Sequence, residues 1–203
     1  CPDCNRKDNK VYYPLVNEAF GGSILTPGFA SYLAYHKYEL GIPFNHLEKH
    51  FANTLGLPIS KSNMADYMAK TAEALTPIYE RMKEDLLNTG TKVMHADETT
   101  LTLSKQAHPG RKKSYVFVYA SSFYDDKQIH IYEFNETRAM DPESNYLKDF
   151  NGYIECDDYP GYDKLRKSKP GIKLQRCWAH ARRKYMDIIK AMPKEARNKS
   201  IAF

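Results

Sequence analysis

Two stretches of this sequence end in acids at positions where carboxylates could do chemistry. Asp97 and Glu98 close the run Val93-Met94-His95-Ala96-Asp97-Glu98-Thr99. About sixty residues later, Asp157 closes Gly152-Tyr153-Ile154-Glu155-Cys156-Asp157. An acid in a buried strand must be neutralised, hydrogen-bonded or bound to a cation. A strand end whose acids simply meet water is the other reading of either stretch alone. If the two strands are neighbours in one sheet, their ends bring two carboxylates together, and like charges at close range stay ionised only with a cation between them. Oxygen-only ligands suit Mg²⁺ or Mn²⁺, which keep waters and phosphate oxygens in their remaining positions. Two such ions about 3.5–4 Å apart serve in-line phosphodiester chemistry.

The elements that must position these acids follow from periodicity. From Val93 the apolar period is 2, which sets Val93, His95 and Asp97 on one face and Met94, Ala96 and Glu98 on the other. Tyr115 to Ala120 is a strongly apolar strand, and Gln128 to Phe134 alternates as its hairpin partner across Asp125-Asp126-Lys127. Pro142 to Phe150 is expected as a short helix, Gly152 to Asp157 as the fourth strand and Tyr162 to Arg166 as a brief helix. Lys173 to Trp178 is expected as a fifth strand, and Ala179 to Met192 as a basic helix. Strands in sequence, then alternating helix and strand, give an α/β order.

Before Val93 the period is helical. Thr26-Pro27 supplies a cap and a first-turn proline, opening a helix through Phe29, Leu33 and Tyr38 to Gly41. A second helix carries Leu47, Phe51 and Leu55 and closes at Gly56. A third opens at Ser60 or Ser62 with Met64, Tyr67, Met68 and Leu75 on its apolar face, and Pro77 is expected to kink or restart it before Ile78, Met82 and Leu86. Helix, glycine turn and capped helix also outline a helix-turn-helix, in which Lys61, Ser62 and Asn63 would reach bases. Helices that simply pack on each other give the same outline.

Composition bounds the remainder. Hydrophobic residues make up 42% and Tyr occurs 16 times, which supports a folded core. No run approaches a membrane span and no charged-then-apolar leader opens the chain, so a soluble, cytoplasmic protein is expected. The net charge of +5 is unevenly spread. Lys164 to Lys199 carries thirteen Lys or Arg against Asp187 and Glu195, which leaves the rest of the chain acidic. Such a segment reads as a phosphate contact or as a solvated basic helix. Cys1, Cys4, Cys156 and Cys177 are too few and scattered for a secreted disulfide scaffold. Cys1-Pro2-Asp3-Cys4 has zinc-knuckle spacing, but a structural zinc wants four ligands; it reads as a half-site or as a loop remnant. With no initiator Met and no helix stop before Phe203, the chain is expected to be a fragment of something longer.

Three ordered motifs together are similar to a known family. His95-Ala96-Asp97-Glu98-Thr99, then Gly152 through Tyr162, then Cys177-Trp178-Ala179-His180-Ala181-Arg182-Arg183-Lys184 resemble the transposases of insertion sequence sixty-six type. The resemblance covers essentially the whole chain. It implies three regions: residues 1–25, a remnant of a zinc-binding segment and linker; 26–90, a helical, helix-turn-helix-like DNA-binding region; and 91–203, a truncated catalytic core. That core is implied to be a ribonuclease-H-like mixed sheet flanked by helices, α+β overall with the helical region included.

The resemblance further implies an Asp-Asp-Glu triad binding Mg²⁺ or Mn²⁺, with Asp97 first and Asp157 second. Asp158 stands where the family pattern has Gly, which makes it a further candidate ligand. The third acid lies downstream of an Asn-Asn pair in the family, and nothing before Phe203 matches it; Glu195 does not. The implied activity is DNA cleavage and strand transfer on double-stranded transposon ends and target, by a possible homodimer, with this fragment inactive alone. A nuclease or resolvase of the same fold, and a non-enzymatic DNA-binding module, are the rival readings. Cys177-x-x-His180 resembles a motif of several cut-and-paste transposases and, with Cys1 and Cys4, offers weak zinc candidates. Trp178 would be an apolar anchor; a buried Cys and Trp at a strand-to-helix junction, with His180 as a satisfied core residue, is the alternative. Arg182, Arg183 and Lys184 would contact phosphates, with Lys61 and Asn63 as competing DNA contacts.

Overall fold

The computed structural model describes residues 18–20, 25–102, 113–141 and 145–194. Cys1, Cys4, the start of the helix expected at Pro142 and Glu195 lie outside the described residues. The chain divides into two compact units between Ile78 and Tyr79.

In the first unit, α1 spans Pro27–Ala34, with Thr26 Oγ1 accepting the Phe29 N–H at 3.2 Å as its cap. It runs into a widened π turn, Tyr35–Glu39, and Gly41 follows in the left-handed conformation at φ 66°. Helix α2, Phe44–Leu55, ends on Gly56, also left-handed at φ 63°. Leu33, Leu47, Phe51, Met64 and Met68 form this unit's core. Two residues expected on apolar faces, Tyr38 and Leu55, are exposed instead. Tyr38 is turned outward because the π turn adds a residue to the helical period.

Helix α3 spans Lys61–Leu87 and continues unbroken through Pro77. The restart expected at Pro77 is therefore absent. Leu75, Ile78 and Met82 are exposed, whereas Leu86 is fully buried. The last turns of α3 belong with the sheet: Lys83 pairs with Glu133 at 2.9 Å, and the Tyr146 hydroxyl donates to the Lys83 carbonyl at 2.6 Å. The boundary between the two compact units thus falls inside this helix.

The second unit is a five-stranded mixed sheet in the order β3-β2-β1-β4-β5. Its strands are β1 Val93–Thr102, β2 Lys113–Ser121, β3 His130–Asn135, β4 Gly152–Cys156 and β5 Ile172–Arg176. The β1–β2 and β2–β3 pairs are antiparallel, and β1–β4 and β4–β5 are parallel. A 3₁₀ turn, Tyr146–Asp149, precedes β4. Helix α4, Pro160–Ser168, crosses over to β5, and α5, Trp178–Ala191, follows. This is the ribonuclease-H-like mixed sheet flanked by helices, α+β overall once the helical region is counted.

The core lies on the Met94–Ala96 face of β1, with Phe117, Tyr119, Ile131, Ile154, Tyr162 and Leu165. Each such side chain contributes about 1.5–3 kcal/mol on burial. Trp178 does not join it: 79% exposed, it is no apolar anchor. As the first residue of α5 it sits on the helix rim, and it is Ile189 that turns inward.

Candidate active site

The parallel β1–β4 pairing sets the geometry of the site. Its register pairs Met94 with Ile154 and His95 with Glu155, so in-register residues share a face. Met94 and Ile154 enter the core. His95 and Glu155 emerge on the opposite face, where Nδ1 and Oε2 approach to 3.1 Å. The same parity carries Asp97 out beside His95, and the chain leaving β4 delivers Asp157 to that end of the sheet. A cleft of about 190 Å³ is lined by His95, Asp97, Glu155, Asp157, Cys177 and His180, among others.

The two aspartates differ in setting. The Asp97 side chain is 59% exposed, with His180 Nε2 at 4.0 Å from Oδ2; its Oδ1 accepts the Glu98 N–H at 2.9 Å. The Asp157 side chain is 21% exposed. Its Oδ1 accepts the Tyr159 N–H at 2.9 Å, and Arg138 Nη2 stands 3.6 Å from Oδ2. Asp158 is pulled elsewhere, paired with Arg176 at 3.7 Å and Lys184 at 3.6 Å. Glu98 lies on the other face of β1, 2% exposed, and Arg138 is bound to it.

Arg176 fastens the turn after β4. Its Nη1 donates to the Asp157 carbonyl at 2.6 Å and its Nη2 to Asp163 at 2.7 Å. Neither Arg138 nor Arg176 stood out in the sequence. Arg138 belongs to an irregular segment, and Arg176 was one basic residue among thirteen. Burial works against the charge on Arg138, but the Glu98 hydrogen bond and the Glu98 and Asp157 charges outweigh it and raise its pKa. Burial also raises the Tyr162 hydroxyl well above its ordinary range, reinforced by the Glu98 charge.

Beside Asp157 a larger cleft of about 720 Å³ opens, lined by Arg138, Asp157, Asp158, Arg176, Arg183 and Lys184 together with His180. Arg183 and Lys184 thus reach the acids' side of the unit, while Arg182 is exposed on the same helix. Part of the positive charge counted in the sequence is already balanced here by Asp158 and Asp163. At the start of α3, Lys61 and Asn63 are exposed, and Glu48 Oε1 accepts the Lys61 N–H at 3.2 Å. A carboxylate therefore already accepts from that helix N-terminus, where negative charge is favoured.

As a donor set, Asp97 and Asp157 fit a hard divalent cation that retains waters and phosphate oxygens. Among the described residues no three or more His, Cys, Asp or Glu side chains gather as metal ligands. Cys177 caps α5 and His180 lies in its first turn, and His180 Nδ1 is enclosed without a hydrogen-bond partner among the described residues.

Cys156 is buried in the sheet, and burial pushes its thiol up to about 11. Since the thiolate is the reactive form, iodoacetamide at pH 8 should leave Cys156 unlabelled while the partly exposed Cys177 reacts. Peptide mass mapping checks this, with Cys156 labelling expected only near pH 11 or after unfolding.

The sequence profile described as Transposase IS66 family matches residues 22–203. An uncharacterized protein of Sinorhizobium fredii, y4qI, is 31% identical over 180 residues, covering 80% of this chain and 32% of that protein. A second from the same organism, y4jD, is 26% identical over 200 residues, covering 92% of this chain and 38% of that protein. The chain thus spans about a third of the length of these curated relatives. No described helix is long and apolar enough to cross a membrane.

Proposed function

Because this chain belongs to the IS66 family of transposases, we propose that its sheet unit is the catalytic core for cleavage and strand transfer of double-stranded DNA. Asp97 and Asp157 would hold Mg²⁺ or Mn²⁺. The observation that carries this reading is the parallel β1–β4 pairing, which sets both aspartates on one cleft. A divalent cation bound there supplies charge neutralisation at a phosphoryl oxygen and a more acidic attacking water or 3′-hydroxyl. The chain's own residues do the rest. Asp97 presents an exposed carboxylate, the Tyr159 N–H and Arg138 orient Asp157, and Arg183 and Lys184 meet the approaching phosphate backbone.

The third acid of the triad is proposed to lie in a longer chain, in keeping with the length of the relatives. These 203 residues should accordingly bind Mn²⁺ weakly and give no measurable strand transfer. Titration followed by the electron paramagnetic resonance of free Mn²⁺ tests this: a weak site in the chain should vanish in Asp157→Asn. Equal binding by both proteins would sink the reading.

DNA contact is proposed to run over α5. Phosphate contacts release counterions and carry little sequence information. Arg182→Ala with Arg183→Ala should weaken binding about equally for all sequences and flatten the salt slope by roughly 1–2 units. Changes at Lys61 or Asn63 should leave the slope nearly unaltered. Fluorescence anisotropy across a salt series separates the two surfaces.

A further inference from the structure

Glu98 follows Asp97 directly in the sequence, yet strand parity sends it to the opposite face of β1, where its side chain is almost wholly enclosed. A buried carboxylate is tolerated only when its oxygens are satisfied. Arg138 Nε donates to Oε1 at 2.8 Å, its Nη2 binds the same oxygen, and the Tyr162 hydroxyl donates to Oε2 at 3.2 Å. Glu98 is therefore fully engaged as an anchor for Arg138 and is not free to serve as a further metal ligand.

Arg138 is held from its other sides as well. Its guanidinium lies 4.1 Å from the centre of the Tyr159 ring, and its carbonyl accepts the Tyr159 hydroxyl at 2.6 Å. Gly161 makes room for that ring, since a Cβ there would stand 2.3 Å from Tyr159 Cε1. The same guanidinium still reaches Asp157 Oδ2 at 3.6 Å. A planar, permanently charged fork suits this double duty between two carboxylates.

We propose that Arg138, clamped by Glu98, Tyr162 and Tyr159, is a positioning residue that serves as the resident counter-charge of Asp157 and fixes its carboxylate in the cation-free site. The proposal rests on the reading of Asp157 as a site residue. A divalent cation at Asp157 must then share that carboxylate with Arg138, so the two charges oppose each other.

A double-mutant cycle on the 203-residue chain in chelator-containing buffer tests the clamp, read as the urea unfolding constant. Arg138→Gln strands Glu98 in both the single and the double variant, so that cost cancels. The Arg138→Gln and Asp157→Asn effects should fall short of multiplying by about three- to tenfold. Should Arg138→Gln not fold, Arg138→Lys takes its place, because a point ammonium cannot span both carboxylates. In parallel, Arg138→Gln should tighten Mn²⁺ binding by about three- to tenfold, because a cation at Asp157 no longer meets the guanidinium charge at 3.6 Å. Multiplicative effects in the cycle, or Mn²⁺ affinity unchanged or weaker, would overturn the proposal. If neither protein binds Mn²⁺, the divalent-ion reading falls instead, and the cycle in chelator still decides the clamp.

Discussion

Asp97→Asn in a full-length transposase carrying this segment should abolish strand transfer, by about 10³-fold or more, while leaving the fold intact. The amide keeps an oxygen at the Oδ1 position, so the hydrogen bond from the Glu98 N–H survives. The side chain is 59% exposed, and isosteric changes at exposed positions usually stay within about 0.5 kcal/mol. What is lost is the negative charge that would hold a cation, together with the several kcal/mol of transition-state stabilisation the cation supplies. Strand-transfer assays on labelled transposon ends, with urea unfolding as the control, check both halves. Activity within tenfold of the parent would mean that Asp97 is not a ligand.

The route from sequence to site was legible because strand parity is a local property. The alternation from Val93 separated His95 and Asp97 from Met94 and Ala96 before any pairing was known, and the described burial follows it. The α/β order after β3 likewise constrained which strands could be parallel neighbours. Local pattern could not show which partner each polar group finds. Alternation set Glu98 on the face opposite Asp97, but only the arrival of Arg138, forty positions away, makes it an anchor. Trp178 looked like a core residue by type, but its place on the first turn of α5 leaves it at the rim. The run through Pro77 was illegible for a related reason. Proline's cost in a helix interior is about 3 kcal/mol, and the helix is held by Met64, Met68 and Leu86, buried well away from the proline, through tertiary contacts that propensity alone does not see.

Gly152→Ala should destabilise the sheet unit by about 3 kcal/mol. Gly152 opens β4 where the strand enters the sheet beside β1, and the Tyr153 N–H donates to the Lys92 carbonyl at 2.8 Å. A Cβ at Gly152 would stand 2.3 Å from that same carbonyl oxygen and 3.0 Å from Phe150 Cζ. The oxygen is backbone, already hydrogen-bonded, and Phe150 is buried in the core, so neither neighbour can yield cheaply. Relief requires β4 to draw away from β1, the pairing that brings Asp157 and Asp97 to one cleft. Gly171→Ala is the matched control. Its Cβ would meet Asn151 Oδ1 at 2.9 Å, the end of an exposed side chain that can rotate aside, and its cost should stay below about 1 kcal/mol. Urea unfolding followed by far-ultraviolet circular dichroism reads both variants. Equal, small effects at the two glycines would show that β4 can enter the sheet without the close approach at Lys92.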